Sequence, residues 1–216
     1  MGFKETLIER IVDLEWTMFR QVRGQGGPAP CQQDRRTFEV MRRGQALSWS
    51  PETLESYLED LEAAQATGRN LITEKYARMM ASTTPAEYAQ LGTHLPHLEA
   101  ARLALIDAIV ANVLEWEHAL EVDYPNVLRR GRPLLRSADR PGVTSLETYL
   151  RGELATYSDR TLKYYHAHIQ QQVAAGINGA RITLEYMVCR SGFASLAEAE
   201  QAIGATAGMD GIGNRK

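Results

Sequence analysis

Four ionisable side chains sit where a helix should bury apolar surface: Glu15, Lys75, Glu153 and His166. At about 100° per residue, Glu15 lies in the middle of the arc formed by Leu7, Ile8, Ile11, Val12, Leu14 and Met18. Lys75 falls at the centre of the face Leu71, Ile72, Tyr76 and Met79. Glu153 shares a face with Leu146, Tyr149, Leu150, Leu154 and Tyr157, and His166 with Leu162, Tyr165 and Ile169. A buried lone charge is costly, so such groups pair, accept hydrogen bonds or neutralise, and Lys75 is expected to meet Glu15 or Glu153. The chemistry they suggest is proton transfer or covalent amine chemistry, with Lys75 as base or Schiff-base amine and Glu15 and Glu153 as acid/base or charge partners. Such groups work near neutral pH when burial moves their pKa values. The plainer reading is an internal salt-bridge network that sets the helix register.

Around these four, Tyr149 and Tyr157 are candidates to orient a substrate, with Trp16 and Trp116 as aromatic walls. Arg43 and Arg151 each follow a glutamate by four residues, Glu39 and Glu147, which is the spacing of an ordinary helix ion pair; an anion site is the alternative. A second site reading draws oxygen and nitrogen ligands for a metal from Glu15, Glu115 or Glu117, Glu153 and His166, giving a metal-dependent oxygenase or hydrolase. Lys75 opposes it, because an ammonium repels a cation. Glu115-Trp-Glu-His118 has a Glu-x-x-His spacing, but His118 projects away from the apolar arc, and no zinc site is expected from the histidines. No metal ligand is therefore assigned, and no cofactor is named by the sequence. Cys31, in a Gly/Pro-rich stretch, reads as a surface or packed thiol before a reactive one.

The elements that must position these groups repeat. Residues 38–80 and 146–188 align without a gap at an offset of 108, with eleven identities, among them Gly44 with Gly152, Ser50 with Ser158, Tyr57 with Tyr165, Gly68 with Gly176 and Asn70 with Asn178. Two copies of one helical unit usually pack about a pseudo-twofold axis. Against that frame the polar anomalies are asymmetric: Gln45 matches Glu153, Thr183 matches Lys75 and Leu58 matches His166. The match of Glu15 stays open between Glu115 and Glu117. Helical spacing and capping signals predict helices up to Arg23, over 35–47, from Pro51 to Gly68, over 71–80, after Pro85, over 100–121, 145–156, 158–175 and 180–190, and a short one from Ser195. No segment alternates like a strand. The expectation is an all-α, internally duplicated helical bundle in one domain over 1–203, with halves of about 1–92 and 98–203 and a flexible tail over 204–216.

A net charge of −3 with 44% hydrophobic and 24% charged residues argues against nucleic acid or an anionic membrane as partner. Glu5, Glu9, Asp13 and Glu15 exclude a secretory signal at the start, and two cysteines suit reduced thiols, so the expected location is cytoplasmic. Oligomeric state is open, a homodimer included.

The runs Leu14-Glu-Trp-Thr-Met-Phe19, Ser56-Tyr-Leu-Glu-Asp-Leu61, Gly68-Arg-Asn-Leu71, Glu74-Lys-Tyr-Ala-Arg-Met-Met80 and Ser145-Leu-Glu-Thr-Tyr-Leu-Arg-Gly-Glu-Leu-Ala-Thr-Tyr-Ser158 resemble the domain-of-unknown-function family numbered 4125 over nearly the whole chain. The resemblance implies a soluble bacterial protein and carries no established reaction, cofactor or catalytic residue. It places Glu15, Lys75 and Glu153 inside characteristic runs, and the chain departs from the pattern at Gly176-Ile-Asn-Gly-Ala180. The leading expectation is a small-molecule enzyme of lyase, isomerase or cyclase type, with a Lys/Glu/His pocket between the halves and bacterial specialised metabolism as a candidate setting. The metal-dependent enzyme and a noncatalytic binding or partner protein are its alternatives.

Overall fold

The computed structural model describes residues 2–23 and 30–210, apart from the side chains of 30, 31, 91, 93 and 207–210. Cys31 and residues 211–216 of the expected tail therefore lie outside what is described. Eleven α-helices follow one another among the described residues: α1 (Phe3–Gln21), α2 (Arg35–Leu47), α3 (Pro51–Ala66), α4 (Leu71–Thr83), α5 (Pro85–Leu91), α6 (Ala100–Asp123), α7 (Pro125–Leu128), α8 (Leu146–Leu154), α9 (Asp159–Ala174), α10 (Gly179–Arg190) and α11 (Leu196–Asp210). The protein is all-helical there, with one isolated antiparallel bridge between Arg140 and Val143. No described helix is long and apolar enough to cross a membrane.

Capping defines the starts. Side chains of Ser50, Asn70, Ser145, Ser158 and Asn178 accept from the backbone N–H three residues on, each contact contributing about 1 kcal/mol to its helix. Gly68 (φ 71°) and Gly176 (φ 67°) end α3 and α9 in the left-handed conformation. They let the N–H groups of Arg69 and Ile177 reach back to the carbonyls of Ala64 and Gln172, each at 2.8 Å. The freed Asn70 and Asn178 amides then donate to the Met18 and Trp116 carbonyls at 2.8 and 3.0 Å, tying α4 to α1 and α10 to α6.

Packing follows the apolar stripes. α1 rests on α2, α3 and α4, while α6 rests on α8, α9 and α10; α3 meets α9, α2 meets α10 and α4 meets α8. Two glycines allow the last two contacts. A Cβ on Gly152 would stand 2.9 Å from the Lys75 carbonyl oxygen, and one on Gly44 would stand 3.3 Å from that of Thr183. The core includes Ile8, Ile11, Leu54, Leu61, Ile109, Leu154, Leu162 and Ile169, all fully buried, each stabilising by about 1.5–3 kcal/mol relative to exposure.

The end of the chain differs from expectation. α11 continues through Gly204 to Asp210 instead of fraying from Gly204. Its Glu200 carboxylate accepts from the N–H groups of Asn126 and Val127 at 2.9 Å, satisfying the open start of α7, and Gly204 leaves room for the Asn126 side chain. The stretch 124–144, for which spacing predicts no helix, holds α7 and a short 3-10 turn at Arg136–Ala138.

Candidate functional site

Glu15 from α1, Lys75 from α4 and Glu153 from α8 are buried and adjacent, and Arg42 from α2 joins them. The Arg42 guanidinium lies between the two carboxylates. Its Nε donates to Glu15 Oε2 at 2.7 Å and its Nη2 to Glu15 Oε1, while Nη1 and Nη2 both reach Glu153 Oε1 at 3.1 Å. The Lys75 ammonium donates to Glu153 Oε2. The remaining capacity of the carboxylates is met by hydroxyls and an amide: Tyr57 donates to Glu15 at 2.7 Å, and Tyr157 and Gln45 to Glu153 at 2.8 Å each.

Two negative and two positive charges thus compensate one another through direct contacts. Burial works against the Arg42 charge, but Glu15 and Glu153 outweigh it and hold the guanidinium pKa well above its usual value. Burial likewise works against ionised Glu153, yet Arg42 and Lys75 hold it well below the usual carboxylate range. Burial first, then the neighbouring carboxylates, push the Tyr57 and Tyr157 phenols well up, so both remain donors. Trp49 closes the cluster edge-on, 5.4 Å from the Tyr57 ring and 6.0 Å from that of Tyr157.

Beside this network lies a cavity of about 320 Å³ bounded by α2, α6, α8, α10 and the 128–134 segment, at the low end of the roughly 300–1,000 Å³ typical of small-molecule sites. Val113, Leu134, Leu146, Leu150, Leu184 and Met187 give it aliphatic walls, with Trp116, Tyr149 and Tyr165 as aromatic ones. It opens past Met41, Glu121 and Arg132, which are exposed. The connecting segment is fixed in place. Asp139 accepts from the Ser82 and Thr148 hydroxyls and the Ser145 N–H, and the Pro133 and Leu134 carbonyls accept from the first N–H groups of α8.

Glu117 is the distinctive group of the cavity wall. Its carboxyl has no hydrogen bond or ion pair among the described residues, and burial alone pushes its pKa from the ordinary 4.5 up to about 7. Arg42 and Glu153 also border the cavity but face one another. Lys75 stands behind the wall, its ammonium 3.4 Å from the centre of the Tyr149 ring.

The other candidates divide. Trp116 and Tyr149 line the cavity, and Tyr157 is held by Glu153 inside the network. Trp16 packs instead on Phe38 and Phe19, away from the cavity. Arg43 pairs with Glu5 of α1, not with Glu39; Arg151 pairs with Glu147 at 3.0 Å and also with Asp107 of α6, so both arginines act between helices. His166 is half-buried, with Gln170 of its own helix 3.5 Å away, and is not brought to the network or the cavity. Glu115 is exposed. No group of three or more His, Cys, Asp or Glu side chains that could hold a metal ion exists among the described residues. Arg42, Gln45 and Tyr57 were not singled out as site residues by sequence, and Glu117 was named only as the alternative to Glu115 in the metal reading. For Arg42 the available signal was its place on the stripe Phe38, Arg42, Gln45, Ala46 and Trp49, opposite Leu150 in the repeat.

Fold and site together define an all-helical protein with a charge-compensated polar core beside an apolar, carboxyl-bearing cavity. The chain belongs to the family described as a protein of unknown function, DUF4125, whose model matches residues 5–201. No curated protein and no solved structure matches it.

Proposed function

We propose that this protein binds a small organic molecule in the cavity between α2, α6, α8 and α10 and acts on it by proton transfer, with Glu117 as the acid/base group. The observation that carries the reading is the unpaired Glu117 carboxyl facing an apolar cavity, with a pKa near neutrality. Lys75, Glu15, Glu153 and Arg42 serve in this reading as positioning residues: their mutual compensation holds Tyr149 and α8 against the cavity without drawing charge into it. Carboxylates already saturated by Arg42, Lys75 and tyrosines make poor metal ligands, which weighs against the oxygenase or hydrolase alternative.

An internal duplication supports this reading by giving the cavity an origin. The contacts of Gly44 with Thr183 and Met187, and of Gly152 with Lys75 and Met79, exchange under the offset of 108. The Asn70 bond to Met18 and the Asn178 bond to Trp116 set α1 against α6 at an offset of 98, which pairs Glu15 with Val113 and Phe19 with Glu117. In the first half, Phe19 stacks on Phe38 at 5.0 Å and meets Tyr76 at 6.4 Å. Their counterparts are Glu117, Leu146 and Leu184, all of which line the cavity. One half is filled with aromatic rings; the other has smaller side chains and a carboxyl in their place.

The test is a fragment screen by ligand-observed NMR on the wild type and on Thr183→Trp, which fills the cavity. The reading expects fragments that bind the wild type and are lost from the variant. Fragments bound equally by both, or none bound by either, would contradict it.

A further inference from the structure

We infer that the natural ligand of this cavity is an organic amine, with its apolar body between the aliphatic walls and Trp116 and its ammonium donating hydrogen bonds to the Glu117 carboxylate. The inference rests on the cavity reading above and adds the class of ligand.

The cavity wall leaves one carboxyl without a partner among the described residues. Inside the cavity, the Arg42 guanidinium spends its donors on Glu15, Glu153 and Gln45, so among the described residues no unpaired interior cation waits for an anionic ligand. Glu153 is saturated by Arg42, Lys75, Gln45 and Tyr157 and offers little to a cation. Arg132, at the mouth, lies 4.8 Å over the Tyr149 ring and donates to the Thr144 carbonyl, and it is exposed to water. Glu117 is what remains.

A second observation points the same way. Glu121 follows Glu117 by one helical turn and also borders the cavity, so two carboxylates of the same sign stand one above the other along the entrance. Such a pair costs a helix stability, and a cation between or beside them relieves it. His118, 3.8 Å from Glu121, sits on the outer surface and does not reach Glu117. The Trp116 ring, 2.9 Å from where a Cβ on Gly179 would stand, presents an aromatic wall next to Glu117, of the kind that attracts ammonium groups. With no ligand bound, burial keeps Glu117 half-protonated near neutral pH, so an ammonium would supply the charge that the site lacks.

The experiment compares three probes of one shape by calorimetry at pH 6 and pH 8: 2-phenylethylamine, 2-phenylethanol and phenylacetate. The amine should bind at least about tenfold more tightly than the other two. Its affinity should rise by up to about tenfold from pH 6 to pH 8, as a Glu117 that titrates near 7 loses its proton while the amine keeps its own. Glu117→Gln should reduce the amine to the affinity of the alcohol. An alcohol or anion that binds as well as the amine, an affinity that falls between pH 6 and pH 8, or an amine preference that survives Glu117→Gln overturns the amine assignment while leaving the cavity as a binding site. If none of the three binds and Thr183→Trp displaces no fragment from the screen, both readings fail together.

Discussion

The Lys75 ammonium stands 3.4 Å from the centre of the Tyr149 ring, on a residue that lines the cavity, while Lys75 itself does not. Its charge is shared between that ring and the Glu153 carboxylate. A lysine so covered is suited to holding a wall in position, which is why the proposed function gives proton transfer to Glu117 and not to Lys75.

Because the four buried charges balance, removing one should cost more than removing a matched pair. Lys75→Met leaves Glu153 undercompensated and should destabilise the protein by about 3–5 kcal/mol. Lys75→Met with Glu153→Gln should cost less than the sum of the two single changes, with a coupling of about 1–3 kcal/mol. Urea denaturation of the four proteins measures it; additive single effects would break the account of the network.

Glu117 gives stability a defined pH dependence. Its folded pKa, about 7, lies above the ordinary 4.5, so the native state holds a proton over that window that the unfolded chain releases. Its contribution to stability is fully present below pH 4.5 and is lost as pH rises through 7. The full shift corresponds to at most about 3 kcal/mol, and solvent in the cavity lowers this to about 1–2 kcal/mol. Glu117→Gln should therefore match the wild type near pH 4.5 and exceed its stability by about 1–2 kcal/mol at pH 8. Equal pH profiles for the two proteins would contradict the assignment.

The two helix-contact glycines should respond unequally. Gly152→Ala drives a methyl group to 2.9 Å from the Lys75 carbonyl and should cost about 1–3 kcal/mol by prising α8 from α4. Gly44→Ala meets Thr183 at 3.3 Å and should cost less. Thermal melts of both variants rank them; the reverse order would deny the close packing of α4 on α8.

If the cavity replaces an aromatic cluster, rebuilding that cluster should close it. Glu117→Phe with Leu184→Tyr restores the residue types of Phe19 and Tyr76. The double variant should melt about 2–4 °C higher for each kcal/mol recovered and should bind none of the fragments that the wild type binds. A lower melting temperature with fragment binding intact would count against the correspondence of the two halves.

Much of the fold was legible because helix starts and stops carry local chemistry. Ser50-Pro51, Gly68 with Asn70, and Gly176 with Asn178 mark ends that depend on capping alone. Glu15, Lys75 and Glu153 were legible as charges interrupting apolar stripes. Arg42 was hidden beside Arg43, since one arginine of a pair is ordinarily solvated and only tertiary packing shows which is inside. His166 sits at the edge of its stripe, where Tyr165 takes the inward place. Spacing named Glu117 only as an alternative to Glu115 for the match of Glu15, whereas the Asn178 bond across to Trp116 brings Val113 to that place, a register of α6 that local spacing does not carry. The continuation of α11 through Gly204 likewise depends on a distant partner, Asn126.

The central claim is that Glu117 is the proton-handling group of a ligand cavity, and side-chain carboxyl NMR followed through a pH titration tests it most directly. The account predicts one glutamate resonance with a midpoint near 7 that is absent from Glu117→Gln. A set of glutamates that all titrate below about pH 5 in the wild type would contradict it.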